Sequence, residues 1–340
     1  MTEHTRMRQE IAEQPAAVAD TLHALASAAE ALASAMRARA VDRIVLIARG
    51  SSDHAAVYGR YLLEGRCGLV TALAAPSLYT TYAAPVDLRG ALAIGVSQSG
   101  ATPEIVSALA YAGSRGALTA GITNDPESAL ARSADHALVT RAGDERSVAA
   151  TKTFTAQLAA FAALAAALGA RELAGGLAEV SDLMSETIAQ SASLAEDAAA
   201  MLVEHDAAVC VARGFSYAVA LEAALKLKET AGVWAEGFSS ADLRHGPTAA
   251  VTRATPAIVF HAGGALEADV EQLEDELLAR GAPLLSIGPG RPMPTATPAC
   301  EELAPFTLVI PAQLVAEQLA RLRGRDPDRP PGLRKVTDTH

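Results

Sequence analysis

Apolar positions along the chain fall into two kinds of run, and their alternation predicts an α/β fold. Short, β-branched runs that close on Gly- or hydroxyl-rich turns lie at residues 43–47, 91–96, 118–123 and 136–140. A second set lies at 207–211, 257–261, 283–287 and 306–310. Each reads as a strand feeding a turn. The stretches between them are Ala-rich with helical spacing, among them 265–280 and a span of 180–204 that links the two sets. Pro103 stands where a helix begins and Asn124-Asp125-Pro126 marks a turn. Residues 153–170 carry no charge, but Phe154, Leu158, Phe161, Leu164 and Leu168 form one stripe of a helix with Ala on the remaining faces. Ala adds little to membrane insertion, so this reads as a close-packed buried helix and not a membrane span.

The chain repeats itself. Ala48-Arg49-Gly50-x-Ser52 recurs as Ala212-Arg213-Gly214-x-Ser216, an offset of 164 residues (212 against 48), and each copy joins an apolar run to an Ala-rich helix. A repeat at half the length of a 340-residue chain predicts two similar domains. The expected division is a helical segment over 1–30, a first domain over 31–180, a connecting helix over 181–204, a second domain over 205–324 and a tail over 325–340. In each domain strands alternate with helices, which predicts doubly wound, mainly parallel sheets with ligand at the carboxyl ends of the strands. The tail is rich in Pro and charge, and composition alone makes it an extended, disordered end.

Composition narrows the function classes. Twenty-eight Lys and Arg against 39 Asp and Glu give a net charge of −11, which disfavours a nucleic-acid or anionic-membrane binder. Three scattered cysteines, Cys67, Cys210 and Cys300, offer neither a disulfide framework nor zinc spacing. With a polar, charged start in place of a signal peptide, the expectation is a cytoplasmic protein. No His/Cys/carboxylate cluster has metal-ligand spacing, so neither metal nor cofactor is expected.

Two constellations carry candidate chemistry. Ser51-Ser52 and Ser97-Gln98-Ser99-Gly100-Ala101-Thr102 put hydroxyls at two strand ends where helices begin, a phosphate cradle that needs no Lys. Ordinary N-capping accounts for one such turn, and two at adjacent strands favour an anion site. Glu222, Lys226 and Glu229 share one helix face among Leu221, Ala223, Ala224, Leu225 and Leu227. On a solvated helix they form an ion-pair stripe; partly buried, they are how a general base is tuned. His245, before Gly246-Pro247, is the first candidate acid/base among the eight His residues, and His54 the second.

These residues together resemble the sugar-isomerase (SIS) superfamily in its two-domain form, the isomerase half of glutamine–fructose-6-phosphate amidotransferase. The matching motifs are Glu10-Ile11-x-Glu13-Gln14-Pro15, Gly50-Ser51-Ser52, Ser97-Gln98-Ser99-Gly100-x-Thr102, Val148-Ala149-Ala150-Thr151-Lys152-x-Phe154-Thr155, Ala220-Leu221-Glu222 through Glu229, Leu243-x-His245-Gly246-Pro247 and Lys335-Val336-Thr337. Arg49 to Ala55 and Ser147 to Lys152 are more similar to stand-alone SIS-type glucosamine-6-phosphate deaminases. The resemblance implies a five-stranded sheet in each domain, with phosphate held by Ser52, Ser97, Gln98, Ser99 and Thr102. It implies that Ser51, Val148 and Ala149 line the sugar. Glu229 would shuttle a proton between C2 and C1, oriented by Glu222 and Lys226. His245 from the partner of a homodimer would open the ring, and Lys335 would close over the open-chain sugar.

Two departures bear on the reaction. Ala101 and Ala150 stand where the synthase has Glu and Ser, and the sequence opens at the sugar domain with Thr2 as its second residue, without the amino-terminal Cys that a glutaminase uses as nucleophile. The resemblance therefore implies a hydrolytic deaminase that converts glucosamine 6-phosphate to fructose 6-phosphate and ammonia. The alternatives are galactosamine 6-phosphate or fructosamine 6-phosphates as substrates, plain aldose–ketose isomerisation, or a sugar-phosphate sensor.

Overall fold

The computed structural model describes residues 5–335, so Val336 and Thr337 of the terminal motif lie outside the described residues. Within that span the chain divides into two compact units. One comprises residues 16–145 and 152–175, and the other 5–15, 146–151 and 176–335.

In the first unit, α1 (Arg6–Ala38, from residue 16 onward) precedes β1 (Arg43–Ile47), α2 (Ser51–Cys67), β2 (Val70–Leu73), β3 (Ala91–Val96) and α3 (Pro103–Ser114). Then come β4 (Leu118–Thr123), β5 (His136–Val139) and α4 (Lys152–Ala167). The strands form one parallel sheet of order β2-β1-β3-β4-β5. All six residues of β3 and of β4 are buried, which is why these strands read as unbroken apolar runs rather than alternations. The uncharged stretch is helix α4, buried at 14 of its 16 positions. It lies against α2, where a Cβ on Gly59 would sit 2.5 Å from the Phe161 ring.

The other unit holds α5 (Val180–Ser191), α6 (Ala195–Ala200), β6 (Ala207–Ala212), α7 (Tyr217–Lys226), β7 (Trp234–Ser239) and β8 (Ala257–Phe260). It ends with α8 (Glu267–Ala279), β9 (Leu284–Gly288), β10 (Met293–Pro294) and α9 (Ala304–Leu322). Its sheet, again all parallel, runs β10-β9-β8-β6-β7. Taken from the β7 edge, this is the topology of the first sheet. Gly50 and Gly214 adopt φ of +58° and +61°, the left-handed turn that explains why the repeat keeps glycine there.

Three expectations need correction. Residues 306–310 are not a strand but part of α9: Pro305 sits in its first turn, and the helix is buried on nearly every face. A helix apolar all round shows no period, so its five-residue core mimics a buried strand. The span 180–204 is two helices, α5 and α6, parted by a turn at 192–194. Edge strands β2, β7 and β10 escaped notice: β2 and β10 are only four and two residues long, and Val70 of β2 and Trp234 of β7 point into solvent at 69% and 77% exposure. Among the described residues one helix, Glu301–Leu322, is long and apolar enough to cross a membrane, and its apolar window is 94% buried inside the fold.

Candidate functional site

In the first unit the hydroxyl loops follow β1 and β3, neighbouring strands at the point where chain order reverses, the usual ligand position in such sheets. Ser52 is buried, and its hydroxyl accepts from Gln157 Nε2 at 3.0 Å. Ser97 Oγ lies 3.2 Å from Thr102 Oγ1 and accepts from the Gly100 N–H. Ser99 Oγ accepts from the Ala101 N–H at 3.2 Å. Gly50 and Thr102 are the N-caps of α2 and α3, and neither bonds its helix through a side chain. Ser97 and Ser99 therefore shape their own loop, Ser52 binds Gln157 of α4, and the N-caps of both helices make no side-chain bond, which favours the anion reading. Arg49 joins the two loops, donating from Nε and Nη2 to the buried Glu104 at 3.0 Å each. Burial raises the Asp53 carboxyl above its ordinary pKa, opposed by His54 and Arg49.

In the other unit Glu222 and Lys226 lie on α7, both fully buried. Glu229 follows in a π-helical turn, Leu227–Ala231, a distortion frequent at functional sites. Lys226 Nζ is 3.3 Å from Glu222 Oε1 and donates to Glu229 Oε2 at 2.5 Å. Burial works against the ammonium, but the two carboxylates and their hydrogen bonds outweigh it and raise the Lys226 pKa above the ordinary value. Only Glu229 of the three reaches solvent, at 23% exposure. A carboxylate fixed by a permanent cation and open on one side is built to accept and return a proton. His245 is exposed at the end of the short helix Ser240–Arg244, followed by Gly246 at φ +138°.

The same unit brings Val148, Ala149 and Lys335 together. Val148 donates its N–H to the Asp328 carbonyl, and Lys335 Nζ donates to the carbonyl of Ser147 at 2.7 Å. The tail expected from composition to be disordered is thus docked from 325 to 335, with Pro327 and Pro330 buried.

The SIS domain family matches residues 39–167 and 201–322. The chain belongs to the SIS domain family. Glutamine–fructose-6-phosphate aminotransferase of Symbiobacterium thermophilum is 36% identical over 97% of this chain, which spans 58% of that protein's length. A putative phosphosugar isomerase from Silicibacter pomeroyi superimposes with a TM-score of 0.87 at 34% identity, covering 96% of this chain and all of that one. Glucosamine-6-phosphate deaminase from Thermotoga maritima does so at 0.79 and 27%, covering 98% of this chain and all of that one.

The two SIS domains share their fold but not their candidate site residues. Ser51 corresponds to Phe215 in the repeat, and His261 is the first residue after β8 where Ser97 follows β3. Hence the hydroxyl cradle belongs to the first SIS domain, and the Glu222–Lys226–Glu229 set to the second. Sequence reasoning assigned no role to Arg49–Glu104, Gln157 or Glu10, although Glu10 and Arg49 lie in matching motifs, because each acts through a partner 55 to 137 residues away. Nor did it find His261, buried between Glu267 Oε1 at 2.8 Å and Glu274 Oε2 at 2.5 Å. Among the described residues no group of His, Cys, Asp and Glu is arranged to hold a metal ion.

The His261 cluster carries a pH prediction. Burial raises the Glu267 pKa, but hydrogen bonds from His261, Arg291 and the Gly263 N–H prevail and lower it from 4.5 to about 2. A depressed carboxyl stabilises the fold fully above its unfolded pKa and loses that contribution as pH falls through the folded one. Glu267→Gln should therefore flatten the dependence of thermal midpoint on pH between 4.5 and about 2. An unchanged acid slope would separate this cluster from acid stability.

Proposed function

We propose that this SIS protein is an amino sugar phosphate deaminase acting on glucosamine 6-phosphate. The observation that carries the reading is Glu229, partly open to solvent and fixed by the buried Lys226. The 6-phosphate sits on Ser52, Ser97, Gln98, Ser99 and Thr102, where hydroxyls and helix N-termini converge. Ser51, Val148 and Ala149 line the sugar. His245 opens the pyranose. Glu229 then takes the proton from C2 of the open 2-amino aldose and returns it to C1, leaving an imine at C2 and CH₂OH at C1. Water adds to the imine carbon and ammonia leaves, giving fructose 6-phosphate. Lys335 stabilises the negative charge on the O1 oxygen while C2 is deprotonated.

Support for deamination comes from the Arg49–Ala55 and Ser147–Lys152 motifs and from the likeness to the Thermotoga deaminase over the whole of that chain. The test is ammonia release from a panel of phosphorylated amino sugars, with and without glutamine and EDTA. Release from glucosamine 6-phosphate without glutamine, unaffected by EDTA and absent with unphosphorylated glucosamine, is expected. Aldose–ketose interconversion without ammonia would make the chain a plain isomerase.

His245 is exposed on this chain, which fits a homodimer that shares it between sites. Glu229→Gln and His245→Ala, each nearly inactive alone, should recover part of the activity after mixed refolding. No recovery despite subunit exchange would put both residues in one subunit's site.

A further inference from the structure

The opening motif Glu10-Ile11-x-Glu13-Gln14-Pro15 has no part in the chemistry above, yet Glu10 is 5% exposed. Its carboxylate accepts the Arg146 N–H at 2.5 Å and the Ser147 N–H at 3.2 and 3.3 Å through its two oxygens. The next backbone groups are held from the tail: the Ser147 carbonyl by Lys335 Nζ and the Val148 N–H by the Asp328 carbonyl. Asp328 also returns to α1, where its two carboxylate oxygens accept the N–H groups of Arg6 and Met7 at 2.8 Å each. A carboxylate there meets both the free N–H groups of a first turn and the positive end of the helix dipole.

Four polar groups of the 146–148 backbone are thus gripped by the start of α1 and by the tail. An anion holds the Arg146 and Ser147 amide hydrogens, and a cation holds the Ser147 carbonyl. We infer that Glu10 is a positioning residue: with Asp328 and Lys335 it clamps this segment, so that Val148 and Ala149 take their sugar-lining place only while α1 and the tail are docked together. The inference rests on the proposed reaction for the roles of Val148, Ala149 and Lys335, but the clamp itself is defined by the hydrogen bonds. Because α1 and the tail hold the same three residues, loosening either loosens the other by an equal factor.

The experiment compares wild type with Glu10→Ala and Glu10→Gln in the whole chain. The readouts are amide exchange at 146–149, trypsin cleavage after the exposed Arg325 and Arg334, and kcat and KM. Glu10→Ala should speed tail cleavage and loop exchange together by roughly 5–150-fold, the usual range of coupling between two sites. Glu10→Gln keeps one acceptor oxygen and should restore part of the protection. The effect of Glu10→Ala on kcat/KM should disappear in a chain ending at Gly324, whereas a purely structural Glu10 would cost the same with or without the tail. Wild-type exchange and cleavage in folded Glu10→Ala would overturn the clamp. Should Glu10→Ala fail to fold, wild-type protection in Glu10→Gln overturns it equally. Coupled loosening without turnover of any amino sugar phosphate would uphold the clamp and refute the proposed reaction instead.

Discussion

Glu229→Gln should lower kcat for glucosamine 6-phosphate by about 10²–10⁴-fold, the range for losing a positioned acid–base group. The amide matches the carboxylate in shape but cannot take the C2 proton. KM should change far less, because the proposed phosphate site is the hydroxyl cradle of the first SIS domain and does not include Glu229. Stability should also hold: Lys226 keeps Glu222 at 3.3 Å, so no buried charge is left alone. Glu222→Gln is the informative contrast. It removes the fully buried member of the pair and should cost folding as well as rate. Ammonia release and thermal midpoints measured on both variants check this. Equal loss of stability in both would mean that Glu229 is chiefly a structural partner of Lys226.

Lys335→Met should reduce kcat by roughly 10²-fold or more, as for loss of one transition-state donor. Truncation after Gly324 should do at least as much and should also destabilise the chain. The tail contributes buried Pro327 and Pro330, the Asp328 cap on α1 and the bond to Val148. A truncated protein with wild-type kinetics and thermal midpoint would remove the tail from both roles.

How far such features can be read from sequence depends on how local they are. The strands buried on both faces, the repeated Gly turn and the i, i+4, i+7 spacing of Glu222, Lys226 and Glu229 leave a local signature, and all were legible. The Phe306–Ile310 run is equally local but ambiguous, since an all-apolar helix and a buried strand share one pattern over five residues. Edge strands with exposed Val70 and Trp234 carry no apolar alternation to find. Composition misjudged the tail because its order comes from partners: Asp328 and Lys335 bond residues more than 180 positions away. The same holds for Glu10 and for Arg49–Glu104, whose meaning exists only once the chain has folded.

The most direct measurement of the central claim uses glucosamine 6-phosphate carrying deuterium at C2, turned over without glutamine and followed by NMR and an ammonium assay. The account predicts ammonium and fructose 6-phosphate in equal amounts, with the label gone from C2 and recovered at C1 or in water. No ammonium, or ammonium released with the deuterium still on C2, would contradict it.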